Sequence, residues 1–579
     1  MKFKVKKYMI GKVSATYNRR ENMRKRGLIR VTSLSMVMLM TASGALAGCS
    51  EDNSEKTEEI TSVLEYEEND YIVSENDFNM PNNFECHDPA IIKDYASGKY
   101  YVFGSHMTQG SSSDLLTWNS LGVQGYTNSS VYGPLKTSLA ESFKWAGYDD
   151  CDCEGKYAIW APDIIYNEHY VWEDGSKGAY MMYYSTSSTS IRSCIGFAVS
   201  KNIESGYKYV DNVIYSGFTK GEAYDEGSVI NKYVGNTDVL EVYGTDNVDD
   251  INQNYFKGSS KYNNTDFPNA IDPSLFFDEE GKLWMTYGSW SGGIWIIEMD
   301  PATGLPIHDE EQGTEADNYT DKYFGKRIAY GNTASGEGPY IRYDSETGYY
   351  WLFASLGWLG ADGGYSMRMF RAESPDGPYY DMAGQESTSM KGTANYNIGL
   401  KIMGGYDLPS LCTGYLSTGH NSFLIDDGKY YLVYHTRFEA KGEIHKMRIH
   451  QMFANEDGWL CTMPYAYNGE SISESGYDID IIDGIYHILN HGTDINTEAK
   501  QTEAYVFDSN GNIGKADDLE TILGKWSVKE GTPYITFTLD EIEYKGVVCQ
   551  MEDEAGNNVM VISAVGTNNS SIWGTMYLE

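Results

Sequence analysis

A short phrase recurs five times along this chain, and it constrains the fold more than any other feature. Each copy reads as a predicted strand, a turn that contains Asp or Gly, and a second strand rich in aromatic and branched residues. Self-similarity of this kind is typical of repeat architectures, in which one supersecondary unit recurs. An acidic residue or a histidine heads every copy, at Asp88, Asp163, Asp272, Glu337 and His420.

Hairpins repeated around an axis predict an all-β fold, a five-bladed β-propeller, because radial repetition leaves only short, protected strand edges. The heads lie 65 to 109 residues apart, so long loops are expected between the blades. Because the first strand of each blade lies nearest the axis, the five heads are expected to converge at one mouth of the central channel. Asp-Pro and Gly-Lys are also ordinary turn residues, but five heads in register favour a functional site.

The residues before the repeats predict export and anchoring. Residues 1–48 contain a basic stretch and then an apolar run from Val31 to Ala47, which predicts a secretory signal peptide. The run ends Leu46-Ala47-Gly48-Cys49, which resembles the bacterial lipobox and implies cleavage before Cys49 and lipidation of that residue; an uncleaved membrane helix is the alternative. Residues 49–76 are strongly acidic and predict an extended tether.

Two folded domains are predicted after the tether. The repeats assign residues 77–467 to the propeller, and a polar insertion at 221–268 separates its second and third blades. Short alternating strands at residues 477–579 predict a small β-barrel domain. Seven cysteines follow Cys49, an odd number, and their spacing predicts neither a disulfide framework nor a zinc cluster.

The charge and composition of the chain limit its partners. The formal net charge is −39, although the first 48 residues carry eleven Lys and Arg against one Glu. Nucleic acid is therefore not an expected partner, because its phosphates would be repelled. The 49 Tyr and 12 Trp residues suit sugar-stacking surfaces, but an aromatic-rich β-protein of another function would have them too.

Several carboxylates around one pocket, with aromatic residues beside them, favour glycoside hydrolysis. That reaction needs one carboxylic acid to protonate the leaving oxygen and one carboxylate to activate water or attack the sugar. A third acidic group nearby raises the pKa of the acid by repulsion and keeps it protonated at the working pH. The repeat heads supply such a set from separate blades.

The motifs around the heads, taken together and in order, resemble glycoside hydrolase family 43, and more narrowly its two-domain endo-α-1,5-L-arabinanases. The resemblance covers most of residues 80–467 and extends to the C-terminal barrel. It is carried by these motifs: His87-Asp88-Pro-Ala, Trp160-Ala-Pro-Asp163, Asn269-Ala-Ile-Asp272-Pro-Ser, Gly288-Ser-Trp-Ser-Gly292, Gly336-Glu337-Gly-Pro-Tyr340, Gly364-Tyr-Ser-Met-Arg368, Ser374-Pro-Asp-Gly-Pro-Tyr379 and Gly419-His-Asn-Ser422.

The resemblance implies an inverting mechanism and a role for each residue. Asp88 would be the general base, Glu337 the general acid, and Asp272 the residue that orients the acid and tunes its pKa. One calcium ion in the central channel would be held by His420 and otherwise by water, whereas Asp163 is expected to serve only the structure. The implied substrate-binding residues are Asp88, Trp160, Gly196, Asn269, Ala270, Ile271, Asp272, Ser289, Trp290 and Ser291.

The expected function is therefore endo-hydrolysis of arabinan, with plant cell-wall arabinan or arabino-oligosaccharides as substrate. A monomer is expected, held to the extracellular face of a bacterial membrane only by its lipid anchor. An exo-acting α-L-arabinofuranosidase or β-xylosidase of the same fold is one alternative, since the insertion at 221–268 could close one end of the cleft. A glycan-binding propeller without catalysis is the other.

Overall fold

The structure is a computed structural model. The predicted signal peptide, Cys49, most of the predicted tether, Cys151 and Cys153 lie outside the residues that it describes. The described residues are 68–75, 84–148, 156–188, 191–308, 320–389, 396–518 and 520–578.

Five antiparallel sheets form the blades of a β-propeller, which confirms the prediction from the repeats. Blade 1 contains Ala90–Asp94, Lys99–Phe103, Gln109–Ser112 and Asn119–Gly122. Blade 2 contains Trp160–Val171, Lys177–Thr186, Ser193–Ser200 and Lys208–Ser216. Blade 3 contains Ser274–Phe277, Leu283–Tyr287, Ile294–Met299, Thr320–Asp321 and Gly325–Ala329. Blade 4 contains Glu337–Asp344, Tyr349–Leu356, Ser366–Ala372 and Leu400–Met403. Blade 5 contains Tyr406–Asp407, Tyr415–Asp426, Lys429–Phe438, His445–Ala454 and Leu460–Thr462.

The innermost strands of the blades close into a ring. Each of these strands contacts the innermost strand of the blade before it and of the blade after it, and that of blade 5 contacts that of blade 1. In every blade the innermost strand, which is Tyr415–Asp426 in blade 5, joins the second strand from the axis at one end of the ring. The innermost strand begins at the other end, where the second strand from the axis also joins the third. The structure therefore gathers two sets of loops at one channel mouth.

A closed eight-stranded barrel follows the propeller, as predicted. Its strands are Gly484–Asn490, Glu503–Phe507, Asn512–Lys515, Gly524–Val528, Tyr534–Leu539, Ile542–Glu552, Asn558–Gly566 and Ser571–Tyr577. Apart from the sheets, the described part of the chain contains short pieces: a two-stranded pair (Asn128–Ser129, Gly133–Pro134), helices Leu135–Ser138, Ala140–Ala146, Val239–Tyr243 and Ile479–Ile482, and 3-10 turns at Ser105–Met107, Val234–Asn236, Val248–Asp250, Gln253–Tyr255 and Ser387–Ser389.

The barrel and the propeller share one hydrophobic core. Buried side chains of blades 4 and 5, such as Trp351 and Leu432, belong to the same cluster as Val561 and Trp573 of the barrel. Lys500–Gln501, within the range predicted as barrel, pairs in parallel with Tyr406–Asp407 of blade 5. Burial of this shared surface is a large stabilising term, so the two domains are expected to depend on each other for stability.

A buried lysine adds a polar tie across the same boundary. The Lys401 ammonium of blade 4 donates to the carbonyl oxygens of His491 (2.8 Å) and Asp494 (2.8 Å) and to Oδ1 of Asn496 (2.7 Å). Nearby, the Arg368 guanidinium donates to the carbonyl oxygen of Thr493 (2.7 Å). These bonds hold the loop between the first two barrel strands against the propeller.

The insertion after blade 2 packs between blades 2 and 3. Its side chains Val239, Tyr255 and Phe267 belong to one buried cluster with Trp295 and Phe324 of the blade 3 region. A Cβ on Gly292 would lie 2.4 Å from the backbone of Phe267, so only glycine permits this approach. The insertion therefore packs against the loop that contains Ser289, Trp290 and Ser291 and supports it.

Two further observations concern the described residues only. No disulfide joins any of the cysteines among them. No helix in the described ranges is long and apolar enough to cross a membrane.

Candidate active site

One residue per blade, in the left-handed backbone region, lines a narrow channel at the mouth of the propeller. These five residues, called here the mouth residues, are Asp88 (φ 52°), Ala161 (φ 37°), Asp272 (φ 58°), Gly338 (φ 58°) and His420 (φ 50°). Positive φ in a residue other than glycine is strained by about 1–3 kcal/mol, and such strain concentrates at functional sites. The backbone is therefore shaped to turn these side chains toward one another.

The mouth residues correct the register that the sequence suggested for two blades. The equivalents of Asp88, Asp272 and His420 are Ala161 and Gly338, not Asp163 and Glu337. The register of the first strand is irregular between Trp160 and Asp163 in blade 2, and between Glu337 and Tyr340 in blade 4. Glu337 lies one residue before its blade's mouth position, and Asp163 lies two residues after.

Asp163 is buried within the strands and not at the mouth. Its carboxylate accepts hydrogen bonds from the backbone of Leu275 (2.7 Å) and the hydroxyl of Tyr340 (3.3 Å), and Arg342 lies 3.9 Å away. Asp163 therefore joins blade 2 to blades 3 and 4, in keeping with the structural role expected for it.

Side chains at the ends of the second strands hold four of the mouth residues in place. The backbone N–H of Ala161 donates to Ser105 Oγ (2.8 Å), that of Asp272 to Ser185 Oγ (2.9 Å), and that of His420 to Ser355 Oγ (2.7 Å). The N–H of Asp88 donates to Nδ1 of His435 (3.2 Å). In each case the acceptor belongs to the preceding blade, with blade 5 preceding blade 1, so these bonds fasten neighbouring blades in a ring.

Asp88 has surroundings that favour its ionised form. Its carboxylate accepts a hydrogen bond from Ser105, and Nδ1 of His87 lies 2.8 Å from Oδ2 while Nδ1 of His420 lies 3.2 Å from Oδ1. Burial opposes ionisation, but the imidazoles of His420 and His87 outweigh it and hold the pKa of Asp88 well below its usual range. Asp88 is thus a carboxylate that stays charged at the mouth of the channel.

Glu337 has surroundings of the opposite kind. Its Oε2 accepts hydrogen bonds from Nε1 of Trp290 (2.9 Å) and Oγ of Ser289 (3.0 Å). Burial raises the pKa of Glu337 and the charge of Asp88 adds to the rise, although Tyr365, His420 and the hydrogen bond from Ser289 work against it. Two carboxyls with pKa values moved apart in this way are suited to act as a base and an acid.

Asp272 is the third carboxyl at the mouth. Its Oδ2 accepts a hydrogen bond from the backbone of Gly338 (3.2 Å), the residue that follows Glu337. Burial raises the pKa of Asp272, and the charges of Glu337 and Asp88 raise it further. Asp272 therefore grips the backbone next to Glu337, and the charge of Glu337 favours the protonated form of Asp272.

The other predicted substrate-binding residues of blade 3 surround these carboxyls. Asn269 Oδ1 accepts from the hydroxyls of Ser193 (2.7 Å) and Ser216 (3.3 Å), and the backbone of Ala270 donates to Ser216 (2.9 Å). The backbone of Ile271 accepts from Gly288 (2.9 Å), which ties this segment to the loop of Ser289.

That loop is itself strained and fixed. Trp290 and Ser291 have φ values of 48° and 35°, and the backbone N–H of Trp290 donates to the carbonyl of Gly336 (2.8 Å), next to Glu337. The indole of Trp290, predicted as a stacking face, is half-buried and also donates to Glu337. This loop therefore positions the carboxyl of Glu337.

Trp160 and Gly196 differ in their accessibility. Trp160 is half-buried at the start of blade 2, next to the mouth residue Ala161, so part of its ring remains open. Gly196 is buried in the third strand of that blade, where a Cβ would lie 2.7 Å from the hydroxyl of Tyr184 and 2.8 Å from that of Ser142. Packing within the blade explains the glycine at position 196.

The polar groups around His420 suit a cation in the channel. The His420 ring packs against Gly338, where a Cβ would lie 3.1 Å from it, and the neighbouring Asn421 side chain is buried in the channel wall with no hydrogen-bond partner for its oxygen or nitrogen. An amide oxygen, nearby carboxylates and water are ligands that calcium prefers, whereas an imidazole nitrogen is not among its usual ligands.

A second group of potential metal ligands has another explanation. Among the described residues, His87, Asp88 and His435 offer ligand atoms within 4.8 Å of one another, but Nδ1 of His435 already accepts the N–H of Asp88. Burial and the neighbouring His87 hold the pKa of His435 well below its usual range, so the ring is neutral and suited to accept. Hydrogen bonding accounts for this group without a metal.

His87, Ser105, His435 and Tyr365 shape the site but were not among the predicted site residues. The Tyr365 hydroxyl is buried, and burial is the main cause of its raised pKa. The charges of all three carboxyls raise this pKa further. A signal for two of them was present in the repeats, because the second strands end in Ser105, Ser185, Ser289, Ser355 and His435. The residue at this position binds a mouth residue or Glu337 in every blade.

One carboxyl with a lowered pKa and two with raised pKa values, gathered where five blades meet, match the acid and base catalysis of a glycoside hydrolase. Sequence comparison agrees. The family model described as glycosyl hydrolases family 43 matches residues 249–460, and a model described as a C-terminal lipocalin-like domain matches residues 464–574.

Relatives extend the match to both domains. The chain is 36% identical over 504 residues to an extracellular endo-α-(1→5)-L-arabinanase of Thermotoga petrophila, covering 84% of this chain and 93% of the relative. It is 34% identical over 504 residues to extracellular endo-α-(1→5)-L-arabinanase 2 of Bacillus subtilis, covering 84% and 92%. The crystal structure of the endo-1,5-α-L-arabinanase from T. petrophila superposes with a TM-score of 0.71 at 34% identity, covering 86% of this chain and 100% of that one. The chain belongs to glycoside hydrolase family 43, which confirms the resemblance seen in its motifs.

Proposed function

We propose that this protein hydrolyses α-1,5-L-arabinofuranosidic bonds inside arabinan chains, with inversion of configuration. The observation that carries the proposal is the opposite pKa shift of two carboxyls, Asp88 and Glu337, at one channel mouth. The substrate is inferred from the two-domain arabinanases of T. petrophila and B. subtilis, which match this chain over nearly their whole length.

In this proposal Asp88 is the general base. Its low pKa keeps it ionised, and it takes a proton from the water that attacks the anomeric carbon. Glu337 is the general acid, since its raised pKa keeps a proton that it gives to the leaving arabinosyl oxygen. Asp272 tunes the pKa of Glu337, and its bond to the Gly338 backbone orients the acid.

The surrounding residues bind the sugar. The half-buried ring of Trp160 offers a face on which a furanose can stack, and the segment from Asn269 to Asp272 and that from Ser289 to Ser291 line the cleft. We assign Gly196 an indirect part, because its lack of a side chain allows Tyr184 and Ser142 to meet inside blade 2.

We also propose one calcium ion in the channel, held by His420 and water with the help of Asn421. When bound, it would supply positive charge beside Asp88 and Asp272 and rigidity to the mouth. The unpartnered Asn421 side chain is the support from this structure. Chelation with EDTA followed by equilibrium dialysis with ⁴⁵Ca²⁺ should show one bound ion in the parent and none in His420→Ala.

Anchoring is proposed from the N-terminal sequence. The apolar run and the Leu46-Ala47-Gly48-Cys49 motif favour a lipidated protein at the outer face of a bacterial membrane, and the two relatives are described as extracellular. The parent protein should be found in the membrane fraction of the cells that express it, whereas the Cys49→Ala variant should carry no lipid and should leave that fraction.

We propose that the protein acts as a monomer.

The experiment that tests the main proposal is product analysis on debranched linear arabinan. Short oligosaccharides released early mean endo action, and arabinose alone from the first time point would mean the exo alternative. Glu337→Gln should lose turnover and still bind arabinohexaose, while Glu280→Gln, an exposed glutamate at the far end of blade 3, should behave as the parent. Equal activity of Glu337→Gln and the parent would contradict the assignment of the acid.

A further inference from the structure

One tryptophan stands apart from the others in its exposure. All twelve tryptophans lie in the described part of the chain, and Trp358 is the one among them with a largely exposed side chain, at 59%. An indole of this exposure leaves on the order of 100 Å² of apolar ring surface in water. A single exposed apolar side chain is common on protein surfaces, so the position of this ring decides its role.

Trp358 lies in the loop 357–365, which joins the second and third strands of blade 4 at the catalytic mouth. The loop begins directly after Leu356, which pairs with Ser366 across the loop's base. It ends at Tyr365, whose buried hydroxyl interacts electrostatically with Glu337, Asp272 and Asp88. Trp358 itself pairs with Gly364, the neighbour of Tyr365, so the loop that presents the exposed indole lies at the same end of the propeller as the carboxyls.

Hydrogen bonds within the loop and to blade 5 hold the loop in place. The backbone N–H of Trp358 donates to the carbonyl of Gly363 (3.1 Å), and the hydroxyl of Ser417 in blade 5 donates to the carbonyl of Gly360 (2.6 Å). Ala361 donates to Glu443 (3.2 Å), also of blade 5. A ring presented by a fixed loop loses little entropy when a ligand stacks on it.

The glycines of the loop also fix the orientation of the indole. A Cβ on Gly363 would lie 1.9 Å from the carbonyl of Trp358, and a Cβ on Gly360 would lie 2.9 Å from Nε1 of its ring. The Nε1 side of the ring therefore lies against Gly360, and 59% of the residue remains exposed to solvent. An exposed indole offers an apolar surface on which a sugar ring can stack.

We propose that Trp358 is a stacking platform for one arabinofuranosyl unit of the bound chain, outside the unit that is cleaved. This inference rests on the proposed function, since it takes an arabinan chain as the occupant. The platform matters only for substrates long enough to reach it, so Trp358 is a specificity residue for chain length.

The test compares three variants on substrates of two lengths. Trp358→Ala removes the ring, Trp358→Phe keeps an aromatic face, and Tyr95→Ala removes a more exposed ring (77%) from the blade 1 hairpin at the opposite end of the strands. The ratio of kcat/KM on arabinohexaose to kcat/KM on arabinotriose should fall about 3- to 10-fold in Trp358→Ala, mainly through KM. It should stay within about 2-fold of the parent ratio in Trp358→Phe and Tyr95→Ala.

Binding gives a second readout that does not depend on turnover. In a Glu337→Gln background, titration calorimetry with arabinohexaose should show the same 3- to 10-fold loss of affinity for Trp358→Ala. An unchanged ratio and unchanged affinity in Trp358→Ala would overturn the platform while leaving the proposed function intact. A parent that releases nothing from arabinan would overturn the proposed function itself, and the platform with it.

Discussion

The hydrogen bond from Trp290 to Glu337 makes a sharp prediction about the pH dependence of activity. Trp290→Phe keeps a ring at that position but removes the Nε1–H that lies 2.9 Å from Oε2 of Glu337. A donor to a carboxylate oxygen favours the ionised form and lowers the pKa. Its removal therefore raises the pKa of Glu337 above a value that burial has already raised.

The size of the shift follows from the difference between two hydrogen bonds. A hydrogen bond to a charged group contributes about 1.5–3 kcal/mol, and one to a neutral group about 0.5–1.5 kcal/mol. Loss of the donor thus costs the ionised form about 1 kcal/mol more than the protonated form. Since one pKa unit corresponds to about 1.4 kcal/mol, the pKa of Glu337 should rise by about 0.5–1 unit.

The assay is the pH profile of kcat/KM on arabinohexaose. Glu337 acts in its protonated form, so a higher pKa keeps the enzyme active to higher pH, and the alkaline limb should move up by about 0.5–1 unit. The matched control is Trp172→Phe, which removes an indole N–H that donates to the carbonyl of Gly178 (2.8 Å) at the other end of blade 2. An alkaline limb that stays in place or moves to lower pH in Trp290→Phe would refute the reasoning.

Three other substitutions test the contacts of the site and of the domain boundary. His87→Phe removes a group that holds the pKa of Asp88 down. The acid limb of the pH profile of kcat/KM should lie below the ordinary carboxyl value of 3.8 in the parent and should move to higher pH in this variant. An acid limb that does not move would contradict this. His435→Ala leaves the buried N–H of Asp88 without its acceptor and should lower the free energy of unfolding in urea by about 1–3 kcal/mol. A stability equal to the parent's would show that this bond is unimportant. Lys401→Met should cost about 2–4 kcal/mol in the same assay, because it orphans three acceptors in the barrel loop. Lys545→Met, which breaks only the ion pair with Asp457 (2.8 Å) near the surface, should cost less than about 1 kcal/mol, and equal losses would argue against the buried tie.

The hairpins of the propeller were predictable because their information is local. Each repeat contains its own turn residues and its own run of strand-forming side chains, as in Gly98 to Phe103 or Gly428 to Val433. The position of each mouth residue was less predictable, because the acidic residue or histidine at the head of each repeat was taken to mark it. In blade 2 the mouth residue is Ala161, and Asp163 lies two residues past it.

Proline would have been the better marker for the mouth. It follows the mouth residue in four blades, as Pro89, Pro162, Pro273 and Pro339. Proline has no N–H to satisfy, so it suits a strand end that faces a narrow channel. Asn421 takes this position in blade 5, and its side chain is the one left without partners in the channel wall.

Contacts between distant parts of the chain were beyond the reach of the sequence. The bond between Asp88 and His435 spans 347 residues, and Lys401 meets the barrel loop 90 residues later. Neither pairing leaves a periodic or local signal. The carboxyls themselves were predictable through their motifs, but the side chains that set their pKa values came from other blades.

The bond between Asp88 and His435 also has a consequence for the order of events in the life of the chain. It joins the first blade to the last, so the backbone of the proposed base is fixed only after synthesis and folding have passed residue 435. A chain that is still being translated or exported holds Asp88, Asp272 and Glu337 without this closure. Hydrolytic activity should therefore switch on late and in one step, which makes it a direct reporter of complete folding.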